Sequence, residues 1–303
     1  MLWLVLSLFA AFAWSISMFF DNYITDELYK GRTPQAMKGV NGVFVIFFAF
    51  IIFAFSQPEQ LQLWQIIVFI IAGAINSLAT IPYYLGLRSE EATSAAVYFQ
   101  LIPVIYLICG WAFFNEQIDL RHIIGFLVIM AAPFVVIFSR RRATTRRLEM
   151  KAAIFFLGYV FLSAGSNIIS TQIGGKVDYL TMFFWYLLGR GGMDVLVYLV
   201  NPSWRKRNKS VLRRSRPQLL ISCFVDQALS IAADCASRLS LIIGVAAISS
   251  VVTNASELVM TFVLGIILSI IWPKFGREKL HRHLVIAHLT AVILCVIGII
   301  IIG

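Results

Sequence analysis

Residues 222–244 read SCFVDQALSIAADCASRLSLIIG, an apolar run that carries two aspartates and an arginine. About 20 apolar residues are enough for a helix to cross the hydrocarbon core of a bilayer. On insertion scales, each charged side chain at the centre of such a helix costs about 2.5–3.5 kcal/mol. The stretch therefore predicts a membrane helix whose Asp226, Asp234 and Arg238 pair with one another or face a polar cavity.

The composition extends this interpretation to the whole chain. Of its 303 residues, 60% are hydrophobic and 13% are charged, whereas about 25% of a soluble globular chain is charged. Apolar runs recur from end to end with short connections between them. We predict an all-α integral membrane protein with ten transmembrane helices, near residues 2–20, 39–56, 64–87, 92–114, 122–139, 151–172, 179–200, 218–240, 245–272 and 283–302.

Basic residues are distributed unevenly between the predicted loops. Most of the 25 lysines and arginines follow the odd-numbered runs, with dense clusters at 140–151 and 205–216. Because basic loops stay in the cytoplasm, we expect both termini to lie outside a plasma (inner) membrane. We expect the clusters to contact anionic lipid headgroups and not nucleic acid, since no aromatic stacking platform accompanies them.

The two halves of the chain share a pattern. The sequence RHII at 121–124 opens the fifth run, and RHLV at 282–285 opens the tenth. We predict two five-helix repeats, residues 1–145 and 146–303. Because each repeat has an odd number of helices, the second is inverted relative to the first. Inverted repeats are typical of transporters, which bind substrate near the bilayer midplane between the halves.

A longer stretch indicates a family. Residues 81–129 read IPYYLGLRSEEATSAAVYFQLIPVIYLICGWAFFNEQIDLRHIIGFLVI, and the first run contains Trp14-Ser15 with Pro34 in the turn beyond it. This pattern resembles the EamA-like branch of the drug/metabolite transporter superfamily. The matching positions are Tyr84, Gly86, Leu87, Ala92, Ala96, Pro103, Glu116, Arg121 and Gly125.

The resemblance implies a ten-helix carrier that exports or exchanges small metabolites. The second half departs from the pattern at two positions. Glu257 stands where the first half has Pro103, and Ile270 stands where it has Glu116. We therefore expect the resemblance to identify the fold better than the substrate.

Glu257 is the first candidate for proton coupling and substrate binding. Together with Ser250, Asn254 and Thr261 it forms a stripe at spacings of four, three and four residues, which is one face of a helix. A carboxylate in the middle of an apolar helix is typical of sites that take up and release protons. The alternative is a glutamate neutralised by an arginine of a neighbouring helix.

The run 218–240 supplies further candidates. We predict that Asp226 takes part in substrate binding and proton coupling, although its place near one end also allows it to reach the headgroups. Asp234 and Arg238 are four residues apart and can pair on one helix face. Such a pair serves either the transport site or the structure alone.

The run 179–200 carries Arg190 between glycines, with Asp194 one turn further on. The guanidinium of Arg190 can hold a carboxylate or phosphate of a substrate with two hydrogen bonds. The glycines serve either to unwind the helix for a ligand or to allow close helix packing. We add the neutral residues Asn254, Asn167, Tyr84, Gln100 and Trp14 to the predicted substrate-binding set.

These residues favour a secondary active transporter that works by alternating access. Its substrate is expected to be a small polar metabolite such as an amino acid or an organic anion, with transport coupled to protons. Two alternatives are a flippase-like protein that moves a charged lipid headgroup and a structural or binding membrane protein without transport. We expect no enzymatic activity, cofactor or metal site, because no catalytic or metal-binding motif occurs. The sequence is also compatible with a homo-oligomer.

Overall fold

The computed structural model describes residues 1–30, 32–56, 61–88, 92–114, 119–143, 150–174, 177–272 and 282–302. Within these ranges the regular structure is all helical. Glu116 and His281, and the basic residues at 146–147 and 274–279, lie outside the described residues. The α-helices are α1 Leu2–Tyr23, α2 Lys38–Phe55, α3 Leu63–Gly86, α4 Ala92–Phe99, α5 Ile102–Phe114, α6 Leu120–Ala143, α7 Met150–Gly174, α8 Tyr179–Val200, α9 Pro202–Ile243, α10 Ala246–Ile271 and α11 Arg282–Ile302.

Seven helical segments of the described ranges are long and apolar enough to cross a membrane. They are Leu2–Leu28, Pro34–Phe55, Leu63–Gly86, Ala152–Gly174, Tyr179–Val200, Pro202–Ile243 and Ile248–Ile271. Three further apolar helical stretches are shorter, namely Ala95–Cys109, Ile123–Ala132 and Val285–Gly298.

The predicted run 92–114 is divided into two helices. At the division, the amide of Gln100 bonds to the carbonyl of Val97 at 3.3 Å, three residues back and not four. Pro103 follows and has no N–H to give to a preceding carbonyl. The chain therefore bends between α4 and α5.

Helix α9 begins well before the predicted residue 218. Asn201 accepts hydrogen bonds from the amides of Ser203 and Trp204, and Pro202 occupies the first turn, where its missing N–H costs nothing. The helix is kinked at Ser215, with φ −142° and ψ 43°. Pro217 explains the kink because its ring clashes with the carbonyl four residues earlier. The basic cluster 205–216 is thus helical.

Close packing of α8 against α3 depends on glycine. A Cβ added to Gly189 would lie 2.1 Å from the carbonyl oxygen of Ile70, and one added to Gly73 would lie 2.0 Å from that of Tyr186. Helix α8 continues unbroken past these positions. Of the two roles that the sequence left open for the glycines of α8, the geometry favours close packing.

A pair of matched substitutions tests this packing. Gly189→Ala is expected to lower stability by about 1–3 kcal/mol or more, since it pushes a methyl group into the backbone of α3. Gly192→Ala on the same helix adds a methyl group with nothing within 4 Å, so its effect should be near zero or slightly stabilising. Thermal unfolding in detergent measures both, and equal midpoints for the two variants would contradict the packing.

Candidate functional site

A polar cavity of about 90 Å³ lies among α1, α3, α4, α5, α7, α8, α9 and α10. Its position follows from the helix contacts, in which α1 packs on α9 and α10, and α3 packs on α7 and α8. Both charged and aromatic side chains line it. The charged residues that line it are Asp21, Arg190, Asp226, Asp234 and Glu257.

Glu257 faces this cavity from α10, beside Ser250 and Asn254 of the predicted stripe. Its side chain is 5% exposed. It makes no ion pair or side-chain hydrogen bond with any residue that the structure describes. The last residue of the stripe, Thr261, is buried and donates to the hydroxyl of Ser15 at 3.0 Å. The alternative of a glutamate neutralised by an arginine is therefore not what the geometry favours.

Arg190 is fully engaged within the protein. Its Nη1 lies 2.5 Å from Oδ2 of Asp234, and its Nη2 donates to Gln227 and Ser230 at 3.2 Å each. All three partners lie on α9. In this conformation α9 holds the guanidinium, and its charge is paired with that of Asp234.

The predicted pairing of Asp234 with Arg238 is wrong. Asp234 pairs instead with Arg190 of α8, and the guanidinium carbon of Arg238 lies 3.9 Å from the ring centroid of Tyr186. Arg238 is not among the described residues that line the cavity. The reason is the contact between α8 and α9, which offers each charge a partner on the other helix.

Asp226 has partners that the sequence did not suggest. Its Oδ1 accepts a hydrogen bond from Ser17 of α1 at 2.5 Å, and its Oδ2 accepts one from the neighbouring Gln227 at 2.7 Å. The side chain is 1% exposed and lines the cavity. A position among lipid headgroups, the alternative for Asp226, does not fit this burial.

Asp194 belongs to a second buried cluster and not to the cavity. It forms an ion pair with Lys38. Lys38 also donates to the carbonyl of Ser77 at 2.7 Å, and the hydroxyl of Ser77 donates to Asp194 at 2.6 Å. Lys38 precedes the predicted run 39–56 and was therefore expected in a loop, yet it is 1% exposed. This cluster joins α2, α3 and α8.

Of the five remaining predicted residues, four line the cavity and Gln100 does not. Trp14, Tyr84, Asn167 and Asn254 line the cavity as expected. Gln100 is not among the described residues that line it. Its amide instead donates to the backbone carbonyl of Asn254 at 2.7 Å, because the bend between α4 and α5 turns it towards α10.

Sequence reasoning missed Asp21, which is the first-half acid of the cavity. It lies on α1, is 7% exposed, and is close enough to Asp226 for the two carboxylates to repel each other. Tyr83 and Tyr84 lie beside it. The signal that could have found it is an acid directly after the apolar run 2–20, whereas Asp226 was found because it lies inside its run.

The cavity thus combines four carboxylates with one guanidinium. Such a set can bind, release and exchange protons or polar solutes. In the described part of the chain, no group of three or more His, Cys, Asp or Glu residues could hold a metal ion.

The first part of the chain is similar to a known protein family. Residues 1–138 match the EamA-like transporter family. The matched residues are just under half of the chain, and the family is part of the drug/metabolite transporter superfamily. The match and the long apolar helices support an integral, multi-pass membrane protein, and the match indicates a transporter of this type. Members of this superfamily are generally not enzymes.

The fold is also similar to that of a solved structure. A solved crystal structure aligns with the chain at a TM-score of 0.58 and 12% sequence identity, covering 97% of both chains. At that identity the likeness shows the fold alone. No curated protein matches the sequence.

Proposed function

We propose that the protein is a secondary active transporter of a small polar metabolite, such as an amino acid or an organic anion, which it exports or exchanges by alternating access. Glu257 couples transport to protons. The observation that carries the proposal is the Glu257 carboxylate, which lies in a buried polar cavity and has no protein partner among the described residues. An intramembrane carboxylate in that setting is typical of proton-coupled transport.

The helix contacts support the two inverted five-helix repeats, with α4 and α5 taken together as one broken helix. A two-fold relation between the repeats pairs α1 with α7, α2 with α8, α3 with α9, α4–α5 with α10, and α6 with α11. Under this pairing the α1–α9 contact corresponds to α7–α3. The α3–α8 contact corresponds to α9–α2, and the α1–α10 contact to α7–α5. The relation maps α2–α8 and α6–α11 onto themselves. All of these contacts occur. Alternating access by rocking of one repeat against the other would follow from this arrangement.

The size of the cavity supports a small solute. Its volume of about 90 Å³ exceeds the ~10–15 Å³ that one water needs. It is well below the ~300–1,000 Å³ of pockets for drug-sized ligands. A metabolite of a few heavy atoms fits this space better than a lipid headgroup with its chains.

The basic first part of α9 supports the proposed orientation. Arg207 donates to the carbonyl of Tyr29 at 2.5 Å, and Arg214 donates to that of Leu28 at 2.7 Å. This part of α9 therefore caps the end of α1 that would face the cytoplasm, with both termini outside. Its exposed lysines and arginines can meet anionic headgroups there.

Flux measurements in proteoliposomes test the proposed function. The protein is expected to take up at least one labelled solute from a panel of amino acids, amines and organic acids, faster with a pH gradient than without. Protein-free vesicles are the control. A folded protein that moves no panel solute but moves a fluorescent lipid would favour the flippase alternative, and one that moves neither would favour a structural role.

A further inference from the structure

The charges of the cavity do not balance. Asp234 neutralises Arg190 through their ion pair. Among the described residues that line the cavity, Arg190 is the one cation. The carboxyl groups of Asp21, Asp226 and Glu257 therefore have no paired cation in this lining. Buried carboxylates without counter-charges are costly, and a bound cation or bound protons would remove that cost.

Asp226 is held by two hydrogen-bond donors. Its oxygens accept hydrogen bonds from the Ser17 hydroxyl and the Gln227 amide, and donors of this kind favour the ionised carboxylate. Asp21 lines the same cavity, and its Oδ1 has no hydrogen-bond partner among the described residues. One end of the cavity therefore presents two adjacent acids that can accept further donors.

A second, independent observation points to a ligand that donates hydrogen bonds. Asn167 lies on α7 and is 9% exposed. It lines the cavity, and its Oδ1 has no partner in the part of the chain that the structure describes. A buried carbonyl oxygen without a donor costs about 1–3 kcal/mol, so a ligand N–H that reaches it would be favoured.

The wall beside Asp21 is aromatic. The ring centroid of Tyr83 lies 5.2 Å from that of Tyr84 and 5.3 Å from that of Tyr159. The ring centroid of Phe99 lies 4.6 Å from that of Tyr159. All four residues line the cavity, as does Trp14. Faces of aromatic rings attract organic ammonium groups. Ca²⁺ and Mg²⁺ instead bind six or more oxygen ligands, and the faces of aromatic rings supply none.

We propose that the end of the cavity formed by Asp21 and Asp226 binds the ammonium group of a small organic amine. This deepens the proposed transport function and rests on it, naming amine-bearing solutes as the substrate class. The two acids hold the positive charge, the tyrosine wall covers the carbon atoms, and Glu257 remains available for the proton. A purely anionic solute would meet three carboxylates and an arginine that is already paired.

Binding to the purified full-length protein in detergent tests this assignment, with ethanolamine and sodium acetate as probes at matched ionic strength. Ethanolamine is expected to raise the unfolding temperature and acetate to leave it unchanged. Asp21→Asn and Asp226→Asn should each weaken ethanolamine binding by about 10- to 100-fold. The exposed Asp119→Asn should bind as the unmodified protein does.

Ser17→Ala keeps the test decisive if an aspartate variant fails to fold. It removes the hydroxyl that donates to Asp226 without removing a charge, and it should weaken ethanolamine binding by a smaller factor, up to about 10-fold. Stabilisation by acetate alone, or ethanolamine binding unchanged in every folded Asp21, Asp226 and Ser17 variant, would overturn the proposal.

Uptake by proteoliposomes separates this inference from the transport function. Uptake of labelled ethanolamine above protein-free vesicles supports both. Uptake of labelled acetate without ethanolamine keeps the transporter and overturns the ammonium site. Ethanolamine binding that depends on Asp21 and Asp226, without any uptake, keeps the site and overturns transport.

Discussion

Replacing Glu257 by glutamine is expected to abolish the stimulation of uptake by a pH gradient while the protein stays folded. Glutamine has nearly the same shape but cannot gain or lose a proton, so the gradient has no group to act on at this site. Because the Glu257 carboxylate makes no ion pair with a described residue, its removal leaves no stranded partner charge. With a pH gradient, uptake by the variant should be no faster than without one.

Asp119→Asn is the matched control for this acid-to-amide change. Asp119 is exposed and precedes α6, so the gradient response should persist there. Thermal stability in detergent should be the same for both variants and the unmodified protein. A Glu257→Gln variant that still responds fully to the gradient would exclude this residue as the coupling group.

Breaking the ion pair of Lys38 and Asp194 is expected to cause the largest loss of stability. Both side chains are nearly inaccessible, at 1% and 6% exposure. Lys38→Met or Asp194→Leu alone leaves one buried charge without its partner, which costs about 3–5 kcal/mol. The double variant removes both charges and should recover most of that loss. Unfolding of the four proteins in detergent measures this double-mutant cycle.

The same cycle separates structure from transport. Since neither residue of this pair lies among those found to line the cavity, the folded double variant should transport at a rate close to that of the unmodified protein. Single variants that lose no more than the ~1 kcal/mol typical of an exposed pair would contradict the buried pairing. A stable double variant without transport would contradict the structural role.

The sequence predicted the all-helical membrane fold well because hydrophobic length is a local property. Two of its errors lie at helix ends, and each caused a buried charged residue, Asp21 or Lys38, to be overlooked. Asp21 follows the predicted run 2–20 by one residue, yet α1 continues to Tyr23 and then into a π-helical turn, Ile24–Leu28. Lys38 precedes the predicted run 39–56 by one residue and was assigned to a loop, yet it opens α2.

Pairing between helices could not be read from spacing. The sequence placed Asp234 and Arg238 on one helix face, which is correct for α9 alone. Which charge each one meets depends on how α8 packs beside α9, and there Asp234 meets Arg190 while Arg238 meets the ring of Tyr186. Gln100 shows the same limit, since its partner, the backbone carbonyl of Asn254, belongs to α10 and depends on how the helices pack.

Three residues of the predicted stripe of α10 line the cavity, and there is a physical reason for this. Ser250, Asn254 and Glu257 share one face at helical spacing, and α10 packs against α1 on that side. Polar side chains on an otherwise apolar membrane helix are costly in contact with lipid, so they face the interior of the helix bundle. The proposal that Glu257 carries the proton stays to be tested.

Proton movement is the most direct measurement of the central claim. Proteoliposomes that contain a pH-sensitive dye would receive the solute that the unmodified protein transports, with no initial pH gradient. Background from direct permeation is subtracted with protein-free vesicles. The account predicts that solute movement changes the internal pH with the unmodified protein and not with Glu257→Gln. Solute uptake by the unmodified protein with no change of internal pH would contradict it.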